Sequence, residues 1–218
     1  MMSSKNRVIA ILFFLSAIFI FQSCATVPIN LSKAKEEVIN YYDSGKYDKE
    51  LNKVVDNAID DFKNIAVSDS DAVVFDIDET ALSNYEFLNE MDFGYVPDLW
   101  NKWMLEAKAP ALSGVKRLYD YFIRKGFRIV FITGRKDFQY NPTYKNLLFA
   151  GYTKFDTLIV RKPEENNLTA LDYKSRKRVE LTQRGYKVVG DVGDQYSDLN
   201  GPDHGIQIKI PNYMYIIK

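Results

Sequence analysis

The sequence predicts an α/β fold, a mostly parallel sheet with helices on both faces, and three observations predict it. From residue 71 onward, apolar runs recur at 72–75, 127–132, 157–160, 187–189 and 206–210, short and continuous as expected of strands buried on both faces. Segments of helical period separate most of these runs, and that alternation makes neighbouring strands parallel. The 218 residues, 46% of them hydrophobic, suffice for one sizeable core and not for two ordinary domains plus a leader.

Taken in order, the chain opens with Lys5 and Arg7 ahead of an apolar run from Val8 to Phe21. That run is about 14 residues where a membrane span needs roughly 20, which is the form of a signal-peptide core. Ser23 before Cys24 resembles the lipobox of bacterial lipoproteins, in which the cysteine is lipidated and begins the mature chain. The expectation is a signal peptide over 1–23, lipidation at Cys24, and an exported protein anchored to a membrane of the bacterial cell envelope, at the outer membrane or the periplasmic face. Residues 24–70 read as a tether and a helical N-terminal extension. Ser32 caps a helix through Val38 and Tyr42 that Gly45 breaks, and Leu51, Val54, Val55, Ala58, Ile59 and Phe62 then fall at helical spacing.

The core domain spans 71–218. Its first strand, Ala72–Phe75, is followed at about 82–110 by an irregular aromatic stretch with a short helix at Pro97–Ala107, which reads as a cap inserted over the strand ends. Gly114–Lys125 is a helix with Val115, Leu118, Tyr119 and Phe122 on one face, ended by Gly126. Asn141 and Pro142 read as the N-cap and first residue of the next helix, closed by Gly151. A third helix runs over Tyr173–Arg184 and ends at Gly185.

Composition excludes several functions. With 29 basic and 29 acidic residues, the chain has no electrostatic footprint for a nucleic-acid polymer. Cys24 is the only cysteine, so the core has no disulfide, zinc–cysteine site or cysteine nucleophile. His204, the only histidine, reads as a loop residue, which argues against histidine-phosphate chemistry.

Chemistry concentrates where strands end. Asp76-Ile77-Asp78-Glu79-Thr80 follows the first strand, and side-chain alternation puts Asp76 and Asp78 on one face. Two such carboxylates repel unless a cation or a shared proton intervenes, and an oxygen-rich acidic site suits Mg²⁺. Thr133-Gly134-Arg135 follows the second strand with a hydroxyl and free N–H groups able to hold phosphate oxygens. Lys174 lies near a helix start, and Gly193-Asp194-Gln195-Tyr196-Ser197-Asp198 supplies further carboxylates.

These four strings, in this order and each tied to a strand end or helix start, resemble the motif series of the haloacid dehalogenase (HAD) superfamily. Within it they are similar to the subfamily IIIB acid phosphatases, the branch of class C lipoprotein acid phosphatases and plant vegetative storage proteins. The resemblance covers about 71–218 and implies a Rossmann-like, HAD-type sheet. It implies a Mg²⁺-dependent phosphatase in which Asp76 is the nucleophile and Asp78 the acid and base. Mg²⁺ would be held by Asp76, the backbone carbonyl of Asp78, and Asp194. Thr133, Gly134 and Lys174 would hold the phosphoryl group, and Asp198 would support the metal shell or orient Lys174.

Alternatives stand beside these assignments. Lys162 and Lys177 rival Lys174, and Asp191, just past Val189, is a structural acid rather than the motif's own. Arg135 meets either substrate or a carboxylate. Trp100 and Trp103, with Phe93 and Tyr95, form either the cap's own core or a stacking wall for an aromatic leaving group. Small phosphomonoesters are the expected partners, with nucleoside 5′-monophosphates and sugar phosphates as competing classes. A non-catalytic binding or storage protein, or a phosphotransferase, is the alternative on the same fold. Acids at both 76 and 78 favour the enzyme.

Overall fold

The computed structural model describes residues 28–217, so the signal-peptide expectation for 1–23 and the lipidation expectation at Cys24 lie outside the described residues. Among the described residues no helix is long and apolar enough to cross a membrane. Helix α1 (Leu31–Asp43) is capped by Asn30 rather than by Ser32, because Asn30 Oδ1 accepts the N–H groups of Ser32 and Lys33 at 3.1 and 3.3 Å. Gly45, at φ +73°, turns the chain into α2 (Lys46–Phe62), which buries Leu51, Val55, Ala58 and Phe62 along one stripe.

Among the described residues the sheet has five parallel strands, β1 (Asp71–Phe75), β2 (Arg128–Lys136), β3 (Thr157–Arg161), β4 (Lys187–Gly193) and β5 (Ile206–Lys209), in the order β3-β2-β1-β4-β5. Alternation divides its side chains between two cores. Val73, Phe75, Ile129, Phe131, Leu158 and Val192 face α2 and α5 (Ser113–Lys125), whose Val115, Leu118 and Phe122 are wholly buried. Ala72, Val74, Val130 and Ile132 face Tyr173 and Leu181 of α7 (Ala170–Gln183). Gly190 lets the larger core close, since a Cβ there would lie 2.6 Å from the Phe62 ring. The chain moves outward from β1 to β3 on one side and returns through β4 to β5 on the other. Adjacent β1 and β4 are therefore the switch point, where the crevice beyond the carboxyl ends opens.

Several boundaries differ from the sequence expectation, each for a local reason. Strand β2 runs on to Lys136 through an irregularity after Ile132, so Thr133 and Gly134 lie within its end. Strand β4 runs to Gly193 and contains Asp191, which pairs in register with Val74 and Gln207. Helix α6 (Tyr140–Phe149) starts ahead of Asn141 behind a 3₁₀ turn at Asp137–Gln139; Pro142 sits in its first turn, where a missing N–H breaks no helical bond. Helix α7 begins three residues before Tyr173 because the Thr169 hydroxyl accepts the Asp172 N–H at 3.1 Å, which moves Lys174 into the second turn. Between β1 and α5 lie α4 (Pro97–Glu106) and a further short helix, α3 (Tyr85–Glu90), in the stretch that read as irregular.

Arg178 on α7 is wholly buried and donates to the carbonyls of Asp198 (2.6 Å) and Asn200, stapling the helix to the loop after β4. Asp191 approaches it at 3.8 Å and accepts the Gly205 N–H at 2.8 Å. Burial pushes the Asp191 carboxyl up to about 6 from an ordinary 3.8, with Arg178 opposing. A raised carboxyl contributes stability that is complete below pH ~4 and lost as pH rises through ~6, here about 2–3 kcal/mol. Asp191→Asn is expected to flatten the fall in urea midpoint between pH 4 and 7; an unchanged slope would show that another group is responsible.

Candidate active site

Asp76 emerges directly from β1, and its N–H donates to the Val192 carbonyl of β4 at 2.9 Å. The chain then folds back sharply. Leu82 and Thr80 both donate to the Ile77 carbonyl, at 2.8 and 3.2 Å, and Glu79 takes the left-handed conformation at φ +56°. Glu79 is held there by its buried carboxylate, which accepts the Asn84 N–H at 2.8 Å and the Tyr215 hydroxyl. Burial pushes Glu79 up to about 8, with Asp78 and Asp194 adding to it.

Asp78 is gripped from the β2 end. Arg135 Nη2 reaches Asp78 Oδ1 at 2.7 Å and Nε reaches Oδ2 at 3.0 Å, a forked pair. Asn84 Nδ2 donates to the same carboxylate at 2.9 Å, while its own oxygen accepts the Trp103 indole N–H at 2.8 Å. Burial would raise Asp78, but Arg135 outweighs it and holds the carboxyl below its ordinary value.

Lys174 rises from α7 between two acids, 2.5 Å from both Asp76 Oδ1 and Asp198 Oδ1. Asp198 is fixed on its other oxygen by the Gln195 N–H at 2.9 Å. Asp194 accepts Thr80 Oγ1 on Oδ1 at 3.2 Å, and both Gln195 and Asn212 on Oδ2 at 2.5 and 2.7 Å. One oxygen each from Asp76, Asp194 and Asp198 lie within 4.8 Å of one another. Burial pushes Asp76 well up; Lys174 opposes it, and Asp198, Asp194 and Asp78 add to it. Burial and Asp198 push Asp194 up to about 6. Burial alone would lower Lys174, but Asp198 and Asp76 reverse that and raise it. Three acids against one ammonium leave surplus negative charge, and an all-oxygen donor set of that sign fits a hard divalent cation.

These groups floor a cavity of about 460 Å³. Asp76, Asp78, Gly134, Arg135, Lys174, Asp194 and Asp198 line it below. Leu88, Tyr95, Pro97 and Trp100 wall one side, and Tyr215 and Ile217 of the C-terminal segment wall another. Thr133, the neighbour of Gly134 in the chain, does not itself line the cavity; it is wholly buried, its oxygen accepting the Arg135 N–H at 3.2 Å. Lys162 is exposed, and Lys177 is taken by Glu165 at 2.6 Å and Glu180 at 3.0 Å, so of the three lysines Lys174 alone meets Asp76. Trp103 is buried and stacks on Phe87 with centroids 5.4 Å apart, whereas Trp100 and Tyr95 face the cavity. His204 is an exposed loop residue. Asn84, Arg178, Asn212 and Tyr215 were not legible beforehand, because each acts singly and far from the motif it touches. The segment after β5 carried one available signal: it too lies beyond the carboxyl end of a strand.

Strand-end acids with a buried lysine, on a parallel sheet at its switch point, define an α/β enzyme built for an anionic substrate and a cation. Residues 21–218 match the HAD superfamily, subfamily IIIB (acid phosphatase), and the chain belongs to that family. It is 34% identical over 177 residues to acid phosphatase 1 of Solanum lycopersicum, covering 78% of this chain and 69% of that one. It is 32% identical over 200 residues to vegetative storage protein 2 of Arabidopsis thaliana, covering 88% and 74%. The class C acid phosphatase from Bacillus anthracis with tungstate bound superposes with a TM-score of 0.68 at 25% identity over 85% of each chain. The activity that follows is phosphoric monoester hydrolysis.

Gly193 closes this site. A Cβ there would collide with the Asp198 side chain, so an added methyl must displace the carboxylate that steadies Lys174. Gly193→Ala is expected to lower turnover about 100-fold, the scale of a 1 Å misplacement, with a native circular dichroism spectrum. Wild-type turnover would show that Asp198 is free to move.

Proposed function

We propose that the chain is an exported, Mg²⁺-dependent acid phosphatase that hydrolyses small phosphomonoesters through an aspartyl phosphate on Asp76. One observation carries the reading: Lys174 is held between Asp76 and Asp198 beside the acidic triangle, on the floor of a cavity with aromatic walls. Asp76, the backbone carbonyl of Asp78, and Asp194 would hold the cation. When bound, it neutralises the charge that keeps an anionic nucleophile from an anionic substrate. Asp198 is committed to Lys174 and the Gln195 N–H, which favours its role as the lysine's orienter.

An oxygen of Asp76 attacks phosphorus and forms a P–O bond as the ester P–O bond breaks, and the leaving alkoxide takes a proton from Asp78. Water then attacks the aspartyl phosphate and gives a proton to Asp78; the bond to Asp76 breaks, and inorganic phosphate leaves. The second step needs an ionised Asp78, which the Arg135 fork favours. The first needs Asp78 to take up a proton and leave that fork. Gly134 and Lys174 offer donors to the phosphoryl oxygens, as does Thr133, whose hydroxyl hydrogen is uncommitted by its bond with Arg135. The tungstate bound by the Bacillus anthracis relative supports an oxyanion site of this kind.

The segment at about 82–110 is the cap of the domain at 71–218, and its Trp100 and Tyr95 offer a planar group a face. Nucleoside 5′-monophosphates fit that wall better than sugar phosphates do. Purified protein is expected to release phosphate from p-nitrophenyl phosphate with Mg²⁺, and from nucleoside monophosphates faster than from sugar phosphates. Asp76→Asn is expected to abolish this, and Asp78→Asn to lower it about 10²- to 10⁴-fold. Turnover retained in Asp76→Asn would reject the nucleophile.

Export and lipid anchoring rest on the leader, with Lys5, Arg7, the apolar run and Ser23-Cys24. Cys24→Ser is expected to block processing or move the protein out of the membrane fraction; an unchanged distribution would reject the anchor.

A further inference from the structure

The segment after β5 belongs to no motif, yet it reaches a buried acid of the site. Strand β5 ends beside Gly193, where the Ile210 N–H donates to the Gly193 carbonyl at 2.9 Å. The chain then crosses the strand ends and lowers Asn212 onto Asp194, Nδ2 to Oδ2 at 2.7 Å. The Asn212 amide has one possible orientation here. Its oxygen accepts the Met214 N–H at 2.8 Å, so its NH₂ must face the carboxylate.

This contact completes an arrangement of lone pairs. A carboxylate oxygen has two acceptor sites. On Asp194, Oδ2 receives two N–H donors, from Gln195 and Asn212, and is full. Among the described residues Oδ1 receives Thr80 alone, which leaves the one remaining acceptor site of the carboxylate on Oδ1. Without Asn212, Oδ2 would regain a site and the carboxylate a second orientation.

The segment that carries Asn212 is held at both ends. The Tyr47 hydroxyl donates to the Pro211 carbonyl at 3.2 Å, and the Tyr213 hydroxyl meets Glu50 at 2.9 Å, both anchors lying on α2. Further on, the Ile217 N–H donates to Gln195 Oε1 at 3.0 Å, which ties the segment to the same glutamine that shares Asp194.

We propose that Asn212 is a positioning residue for the cation site: by filling Asp194 Oδ2 it leaves Oδ1 as the single oxygen presented to a divalent cation. The inference rests on Asp194 being a cation ligand. It assigns a role to a residue outside the four motifs, through a segment clamped by α2.

The test is Mn²⁺ binding to the full-length chain, read directly from the free-ion electron paramagnetic resonance signal, with the Mn²⁺-induced rise in Tm as a second readout. Asn212→Ala is expected to weaken Mn²⁺ binding roughly 10- to 100-fold, the usual cost of losing a hydrogen-bond partner of a metal ligand, and to shrink the rise in Tm. Asn212→Ser keeps an oxygen for the Met214 N–H, and so keeps the turn, but is too short to reach Asp194. It is expected to lose affinity to the same degree, which separates loss of the donor from loss of the turn. Asp194→Asn is the control. Mn²⁺ binding that survives in Asp194→Asn would reject the cation reading itself. Binding abolished there but unchanged in both Asn212 variants would overturn the positioning role alone. Weakened binding in Asn212→Ala with wild-type binding in Asn212→Ser would also overturn it, because the turn and not the donor would then matter.

Discussion

Everything at the carboxyl edge of the sheet depends on one buried ammonium. Lys174 stands 2.5 Å from both Asp76 and Asp198 in a region from which solvent is nearly excluded. Without it the acids brought together by β1 and β4 would face one another in a low dielectric, where like charges repel strongly. The rest of the architecture serves that pairing. The Thr169 cap sets where α7 starts and thus which residue of that helix meets Asp76. Arg178, one turn further along, fastens the same helix to the loop that carries Asp198. Gly193 keeps the loop close enough for the contact to form. A second cation, Arg135, manages Asp78 separately, so Asp76 and Asp78 are compensated by different groups on different elements.

The strands and the motifs were legible because both are local. Val73 and Phe75 alternate with Ala72 and Val74 within five residues, and the same short stretch delivers Asp76. The family, once the four strings were read together, followed from their order along the chain. Helix starts were less legible. Asn30, Gln139 and Thr169 occupy the cap positions of α1, α6 and α7, whereas the pattern pointed to Ser32 and Asn141 for the first two and to a start at Tyr173 for the third. A capping side chain is chosen by where tertiary packing lets the first turn begin, and one-dimensional pattern does not contain that. Lys174 could be told from Lys162 and Lys177 only in three dimensions, since all three follow a strand or lie on a helix. The structure separates them by partner: solvent, two glutamates, or the acid at residue 76.

Least legible were the groups that hold the acids in place. Asn84 links Trp103 to Asp78, Glu79 and Tyr215 lock the reversal after β1, and Asn212 shares Asp194 with Gln195. Their separations in sequence run from six residues to 136, with no periodicity to betray them. The aromatic residues of the cap divide in the same manner. Trp103 is spent on packing and on Asn84, while Trp100 is left facing the cavity, although the two lie one helical turn apart.

The clamp between α2 and the segment after β5 has a consequence in time. Residues 211–217 leave the ribosome after every motif residue has been made, and Tyr47 and Glu50, their anchors, have by then long been waiting. A nascent chain stopped at Lys209 would hold the five described strands with Asp76 and Asp78, yet Asp194 would lack its Asn212 donor and the cavity one of its walls. Completion of the site thus waits for residues that follow every strand and every motif, and a growing polypeptide carries an unfinished pocket until Asn212 and Tyr215 have been added.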